Sequence, residues 1–280
     1  MRTAWIQRTA EAAARLASRK TTEPTLLAAD EGHWAVWAEG AIRELPVGEA
    51  RGLHPTLAPL LDHTLLKAGA TQEEVEGLCR EARAHGFASV CVNPVWVPWA
   101  SAALTGTAAR VCTVVGFPLG ATSSAAKAFE AEQALRDGAD EVDMVLDLGA
   151  ARGGDWARVQ TDLRTLRRAV PRPKVLKVIL ETCLLDDAQK RRACQLAAEE
   201  GLDFVKTSTG FSTGGATAAD VVLMRATVGE AVGVKASGGI RTHDQALAMI
   251  RAGATRLGVS ASLAILQGAQ AAGQNAGTGY

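Results

Sequence analysis

The sequence has no charge of one sign to spare: its 280 residues carry 30 lysines and arginines against 30 aspartates and glutamates. A nucleic-acid-binding domain needs a basic excess, so that class is excluded. Cysteine is sparse and odd in number, with Cys79, Cys91, Cys112, Cys183 and Cys194 forming no CxxC pair. This argues against a disulfide framework or a thiolate zinc site and fits a reducing, cytoplasmic setting. The five histidines (His33, His54, His63, His85, His243) have no HxH or HxxxH spacing, so no metal is expected. No apolar run of signal-peptide length follows Met1. The uncharged stretch from Gly86 to Ala109 holds Pro94 and Pro98, and it reads as strand, turn and helix rather than as a membrane span. What remains is a globular chain, 48% hydrophobic and 21% charged, long enough for a sizeable core.

From about Leu61 the chain alternates between two textures. Short apolar runs are predicted as strands at Leu60–Leu66, Ala88–Val92, Arg110–Val115, Glu141–Leu146, Val175–Leu180, Phe204–Thr207, Gly233–Lys235 and Arg256–Val259. Between them, segments such as Thr71–His85, Ser124–Arg136, Trp156–Ala169, Asp186–Glu200 and Thr242–Arg251 have helical spacing. Glycines at 86, 138, 201 and 253 close helices just before a strand, as residues able to turn left-handed do. Eight alternating units of this size predict an α/β fold, the closed (β/α)8 TIM barrel. No GxGxxG follows the first strand, which disfavours a doubly wound dinucleotide-binding sheet. Residues 1–58 are expected to form a helical extension, 59–266 the barrel, and 267–280 a mobile tail of small and polar residues. Trp96 and Trp99 are expected in the core at an apolar helix start.

The lysines carry the functional signal. There are eight against 22 arginines, so arginine is the default surface cation here. The basic residues in the late strands are nevertheless lysine: Lys177 in Val-Leu-Lys-Val-Ile, Lys206 in Phe-Val-Lys-Thr-Ser and Lys235 in Gly-Val-Lys-Ala-Ser. Lysine, unlike arginine, can lose its proton and act as a nucleophile. A charged residue in a barrel strand must point inward, towards the mouth at the strand's C-terminal end. In Glu141-Val142-Asp143-Met144-Val145 the period of two puts Glu141 and Asp143 on the inward face, and Asp62 is a second inward acid. A neighbouring ammonium about 4 Å away, at an effective dielectric near 20, costs about 4 kcal/mol. Such a pair makes one activated amine for Schiff-base formation, with a carboxylate to relay protons. Cys91 could line the mouth, although a buried inert thiol is the commoner case.

Thr207-Ser208-Thr209-Gly210-Phe211, Ser237-Gly238-Gly239-Ile240 and Gly258-Val259-Ser260-Ala261-Ser262 all follow late strands. Small residues there let backbone N–H groups approach an anion, and these loops are the usual phosphate site of such barrels. A phosphorylated small molecule is the expected ligand.

These motifs, with Asp62-His63-Thr64-Leu65-Leu66, Val90-Cys91-Val92-Asn93-Pro94, Val115-Gly116-Phe117-Pro118-Leu119-Gly120 and Lys177-Val178-Ile179-Leu180-Glu181-Thr182, resemble the deoxyribose-phosphate aldolases, a class I aldolase family, from about Leu61 to Leu266. The resemblance implies Lys206 as the Schiff-base lysine, Lys235 as the neighbour that activates it and Asp143 as the proton-relay acid and base. It implies Gly210, Gly238, Gly239 and Ser260 at the phosphate, and Asp62, Cys91 and Lys177 lining the pocket. The reaction implied is reversible cleavage of 2-deoxy-D-ribose 5-phosphate to acetaldehyde and D-glyceraldehyde 3-phosphate, with no cofactor. The partners implied are a sugar phosphate and aldehydes, with no nucleic acid and no membrane, and a homodimer left open. Another Schiff-base aldolase or transaldolase, or a non-catalytic sugar-phosphate-binding barrel, would share these features. Tyr280, the sole tyrosine, matches a tail residue that assists proton transfer in some relatives. Asp147 and the long N-terminal extension depart from the family pattern.

Overall fold

The computed structural model describes residues 25–29, 33–38, 41–46 and 57–275. The core of the molecule is a closed barrel of eight parallel strands: β4 (Leu61–Leu65), β5 (Ser89–Val92), β6 (Arg110–Val115), β7 (Glu141–Val145), β8 (Val175–Ile179), β9 (Phe204–Lys206), β10 (Gly233–Ser237) and β11 (Arg256–Val259). Each pairs with the next in chain order, and β11 closes on β4. The expected (β/α)8 architecture is therefore present, with strand limits within two residues of those expected.

Local chemistry explains the helices around it. Thr71 accepts the Glu74 backbone N–H while the Glu74 carboxylate accepts that of Thr71, a reciprocal cap that starts α1 (Gln72–His85). Gly86, at φ 68°, ends it. Gly138, Gly201 and Gly253 also have positive φ, so the four junctions share one device. Between β5 and β6 the uncharged stretch folds as strand, a 3-10 turn (Pro94–Trp96) and α2 (Val97–Leu104). That helix buries Val97, Ala100 and Leu104. Trp96 packs at the edge of the core, but Trp99 is 45% exposed, contrary to expectation, because it lies off the Val97–Ala100–Leu104 face. No helix among the described residues is long and apolar enough to cross a membrane.

Two expectations about the ends are corrected. The described residues 25–29, 33–38 and 41–46 are not helical. They form an antiparallel sheet of β1 (Thr25–Ala29), β2 (His33–Ala38) and β3 (Ala41–Pro46), and the run His33-Trp34-Ala35-Val36-Trp37-Ala38 suits a strand better than a helix. The predicted helix at Ala4–Arg19 lies outside the described residues. At the other end, a helix over Ser262–Asn275 runs through the start of the segment expected to be mobile; its alanines and glutamines are good helix formers. Tyr280 lies outside the described residues.

Candidate active site

The sheet's alternation sorts the strand residues into two sets. Val142 and Met144 of β7 face the helices and join the apolar core, while Glu141 and Asp143 face the barrel axis. Register then brings chemistry together. Asp143 is paired across the ladder with Lys177, and Lys206 with Lys235. Lys177 stands opposite Phe204, so Lys206 is one inward position nearer the mouth, at the last residue of β9.

The three lysines converge on one carboxylate. Asp143 Oδ1 accepts from Lys177 Nζ at 2.7 Å, and Oδ2 accepts from Lys206 Nζ at 2.9 Å and Lys235 Nζ at 2.8 Å. The Cys112 thiol donates to Oδ1 at 3.2 Å. Lys177 also bonds Glu141 at 2.6 Å. Lys235 bonds Asp62, whose other oxygen accepts from Ser89 Oγ at 2.7 Å and Arg256 at 2.6 Å. Arg256 reaches Glu141 at 3.3 Å as well. Lys177 and Lys235 are completely buried and Lys206 is 3% exposed.

Electrostatics follow from this geometry. Burial alone would raise the Asp143 carboxyl, but Lys177, Lys206 and Lys235 outweigh it and hold it well below the usual carboxylate range. Asp62 is likewise held low, with Arg256, Lys235 and Lys177 overcoming its burial. For the lysines burial acts the other way, yet Asp143 with Glu141 raises Lys177, and Asp143 with Asp62 raises Lys235, each above its ordinary value. Lys235 is thus a fixed positive charge. Two groupings, Cys91–Cys112–Asp143 and Asp62–Cys112–Glu141, are close enough to share a cation, but both include carboxylates already bonded to ammonium groups.

A lysine that shares one carboxylate with two other ammonium groups is suited to imine chemistry, and comparison with known proteins shows the family. Residues 56–268 match the DeoC/LacD family aldolase pattern. The chain belongs to the DeoC/LacD family of aldolases. The deoxyribose-phosphate aldolase of Streptococcus pneumoniae (strain CGSP14) is 58% identical over 213 residues, 76% of this chain and 96% of that protein. That of Streptococcus equi subsp. zooepidemicus (strain MGCS10565) is 57% identical with the same coverage. The tetrameric deoxyribose phosphate aldolase from Aeropyrum pernix superposes with a TM-score of 0.72 at 34% identity, covering 77% of this chain and 92% of that one.

In this aldolase the glycine-rich loops gather at the ends of β9, β10 and β11. Gly210, Gly238 and Gly239 have φ of 86°, 88° and 80°, a region open to glycine at little cost. Gly210, Gly239 and Ser260 are exposed there. Gly258, two residues after Arg256, leaves room for Lys235: a Cβ on it would lie 2.9 Å from Lys235 Cε. Cys91 of β5 is fully buried, packed with Leu66, Cys112 and Val114.

Sequence reasoning missed Arg256. The late-strand cations are not all lysine, since Arg256 opens β11 and points inward. The parity was there to be read, because Arg256 shares its face with Gly258. Glu181 was also passed over as a side chain with a task. It is 2% exposed, has a left-handed backbone at φ 51°, and accepts from the Thr209 N–H at 3.3 Å and from the Thr209 hydroxyl. It therefore pins the loop that follows Lys206.

Proposed function

We propose that this chain cleaves 2-deoxy-D-ribose 5-phosphate reversibly to acetaldehyde and D-glyceraldehyde 3-phosphate through an imine on Lys206. The observation that carries this reading is the convergence of Lys206 and the fixed cation Lys235 on one oxygen of Asp143. Lys206 attacks the C1 carbonyl as a neutral amine and water leaves. Asp143 passes protons through water in forming and opening the imine and in drawing the proton from the C3 hydroxyl. The C2–C3 bond then breaks, its electrons entering the iminium to give an enamine, and D-glyceraldehyde 3-phosphate departs. Protonation at C2 and hydrolysis release acetaldehyde and restore the amine. The substrate phosphate sits on the backbone N–H groups around Gly210, Gly238 and Gly239 and on the Ser260 hydroxyl, while Asp62, Cys91 and Lys177 line the pocket below. Five free cysteines suit a cytoplasmic setting.

The test is product analysis with the purified protein. The expected result is equimolar acetaldehyde and D-glyceraldehyde 3-phosphate from 2-deoxy-D-ribose 5-phosphate, undiminished in excess chelator. Turnover only with a different donor would point to another Schiff-base aldolase. Binding without turnover would make the protein a sugar-phosphate receptor.

The phosphate loops make a separate prediction. A Cβ at Gly215 would lie 2.3 Å from the Gly238 carbonyl oxygen, which accepts the Ala216 N–H at 3.0 Å. Backbone cannot retreat as a side chain can, so Gly215→Ala pushes the Gly238–Gly239 turn aside. The expected outcome is a KM for the phosphorylated substrate raised about tenfold or more, the effect of a charge-assisted hydrogen bond or two, with acetaldehyde imine formation on Lys206 unchanged. Equal loss of both would contradict the assignment of this turn to phosphate.

A further inference from the structure

The charges along the barrel axis do not balance, and the imbalance has a location. Four cations (Lys177, Lys206, Lys235 and Arg256) are bonded to three carboxylates (Asp62, Glu141 and Asp143). They form one continuous chain: Arg256 holds Asp62 and Glu141, these hold Lys235 and Lys177, both of those hold Asp143, and Asp143 holds Lys206. Lys206 is thus one end of the chain, nearest the mouth, and Arg256 is the other, at the first residue of β11. The Arg256 side chain is 15% exposed, and its guanidinium lies over the Phe204 ring, 5.5 Å from the centroid.

We propose that Arg256 is a positioning residue that makes the Lys206 proton the one the cluster can give up. Resting on the reading of Lys206 as the nucleophile, the argument is a matter of count. With Arg256 in place, a neutral Lys206 leaves three cations on three carboxylates. Without Arg256, the three lysines already match the three acids, and removing the Lys206 proton strands a buried negative charge. Buried uncompensated charge is what protein interiors resist most strongly. Arginine suits the task because it does not give up its own proton, and because one guanidinium can bridge the Asp62 and Glu141 carboxylates. The other groups facing the cluster do not supply this charge. Burial pushes the Cys112 thiol on β6 up and a hydrogen bond with Cys112 draws the Cys91 thiol on β5 down, but a cysteine carries no positive charge in either state, and Arg110 of β6 stands 4.0 Å from Glu141 and is 48% exposed, where solvent screens it.

The experiment is the pH dependence of kcat/KM in Arg256→Met, Arg256→Lys and Glu141→Gln, beside borohydride trapping of acetaldehyde on Lys206 in each. Arg256→Met is expected to move the acid limb to higher pH by about one unit, so that kcat/KM near neutrality falls roughly tenfold while the alkaline plateau is largely kept. Arg256→Lys keeps the charge and is expected to restore the limb. Glu141→Gln adds to the positive surplus and is expected to move it to lower pH. A purely structural role would lower the plateau without moving the limb in opposite directions. An unmoved limb in Arg256→Met, or the same direction of shift in both charge variants, would overturn the proposal while leaving imine trapping intact. Should Arg256→Met not fold, Glu141→Gln decides alone: a downward shift supports the proposal, and no shift or an upward one overturns it. Absence of trapping in the parent protein would instead count against the proposed function.

Discussion

Lys206→Met is expected to lower kcat/KM by on the order of 10⁴ or more, the scale seen when a covalent nucleophile is removed, and to leave the barrel folded. Methionine spans the lysine stem as far as Cε and has no amine with which to form an imine. Its cost to the fold is small because Asp143 keeps Lys177 at 2.7 Å and Lys235 at 2.8 Å, and the cluster becomes neutral rather than charged. Steady-state kinetics together with a thermal melt check both halves. A variant retaining more than about a hundredth of the parent activity with an intact fold would place the nucleophile elsewhere.

Asp143→Asn is expected to have the larger effect on stability. The change removes the negative charge that three ammonium groups share, replaces one accepting oxygen by an NH2 donor, and raises the surplus on the axis by one more positive charge. Breaking a buried ion pair by removing one partner costs about 3–5 kcal/mol, and here one partner serves three. The pH dependence gives the sign. The Asp143 carboxyl lies well below its ordinary value in the folded state, so its contribution is present above about pH 4, where it is ionised in the unfolded chain too, and is lost as pH falls through its folded value. Lys177 and Lys235 lie above theirs, so their contribution is fully present below about pH 10 and is lost as pH rises further. Denaturant midpoints should therefore show a wide gap between parent and Asp143→Asn across neutral pH, narrowing below about pH 4. A gap that stays constant into strong acid would mean that the asparagine acts through packing rather than charge. Activity should fall by about 10² or more, the contribution of a positioned acid–base group.

How much of this was legible before the structure depends on the kind of signal. The barrel could be read because parallel strands covered on both faces leave runs such as Glu141–Val145 and Val175–Ile179 that are apolar apart from inward residues. An inward charge then stands out against them, and that is how Lys177, Lys206, Lys235 and Asp143 were found. Their convergence on a single carboxylate could not be read, because it depends on ladder register, which no local pattern encodes. Arg256 escaped because arginine is the ordinary surface cation of this chain, so one at the first residue of the four-residue β11 did not stand out. Strands β1 to β3 were misjudged by association with the alanine-rich segment before them. The glycines at 86, 138, 201 and 253 were read correctly because the left-handed turn at a helix end is a local demand.

The central claim is that Lys206 is the amine that forms the imine. Incubation with acetaldehyde and borohydride, followed by peptide mapping by mass spectrometry, tests it directly. The predicted result is one ethyl adduct per chain, on Lys206, absent in Lys206→Met and retained in Gly215→Ala. An adduct on Lys177 or Lys235 in its place, or no adduct under conditions that trap an authentic class I aldolase, would contradict the account.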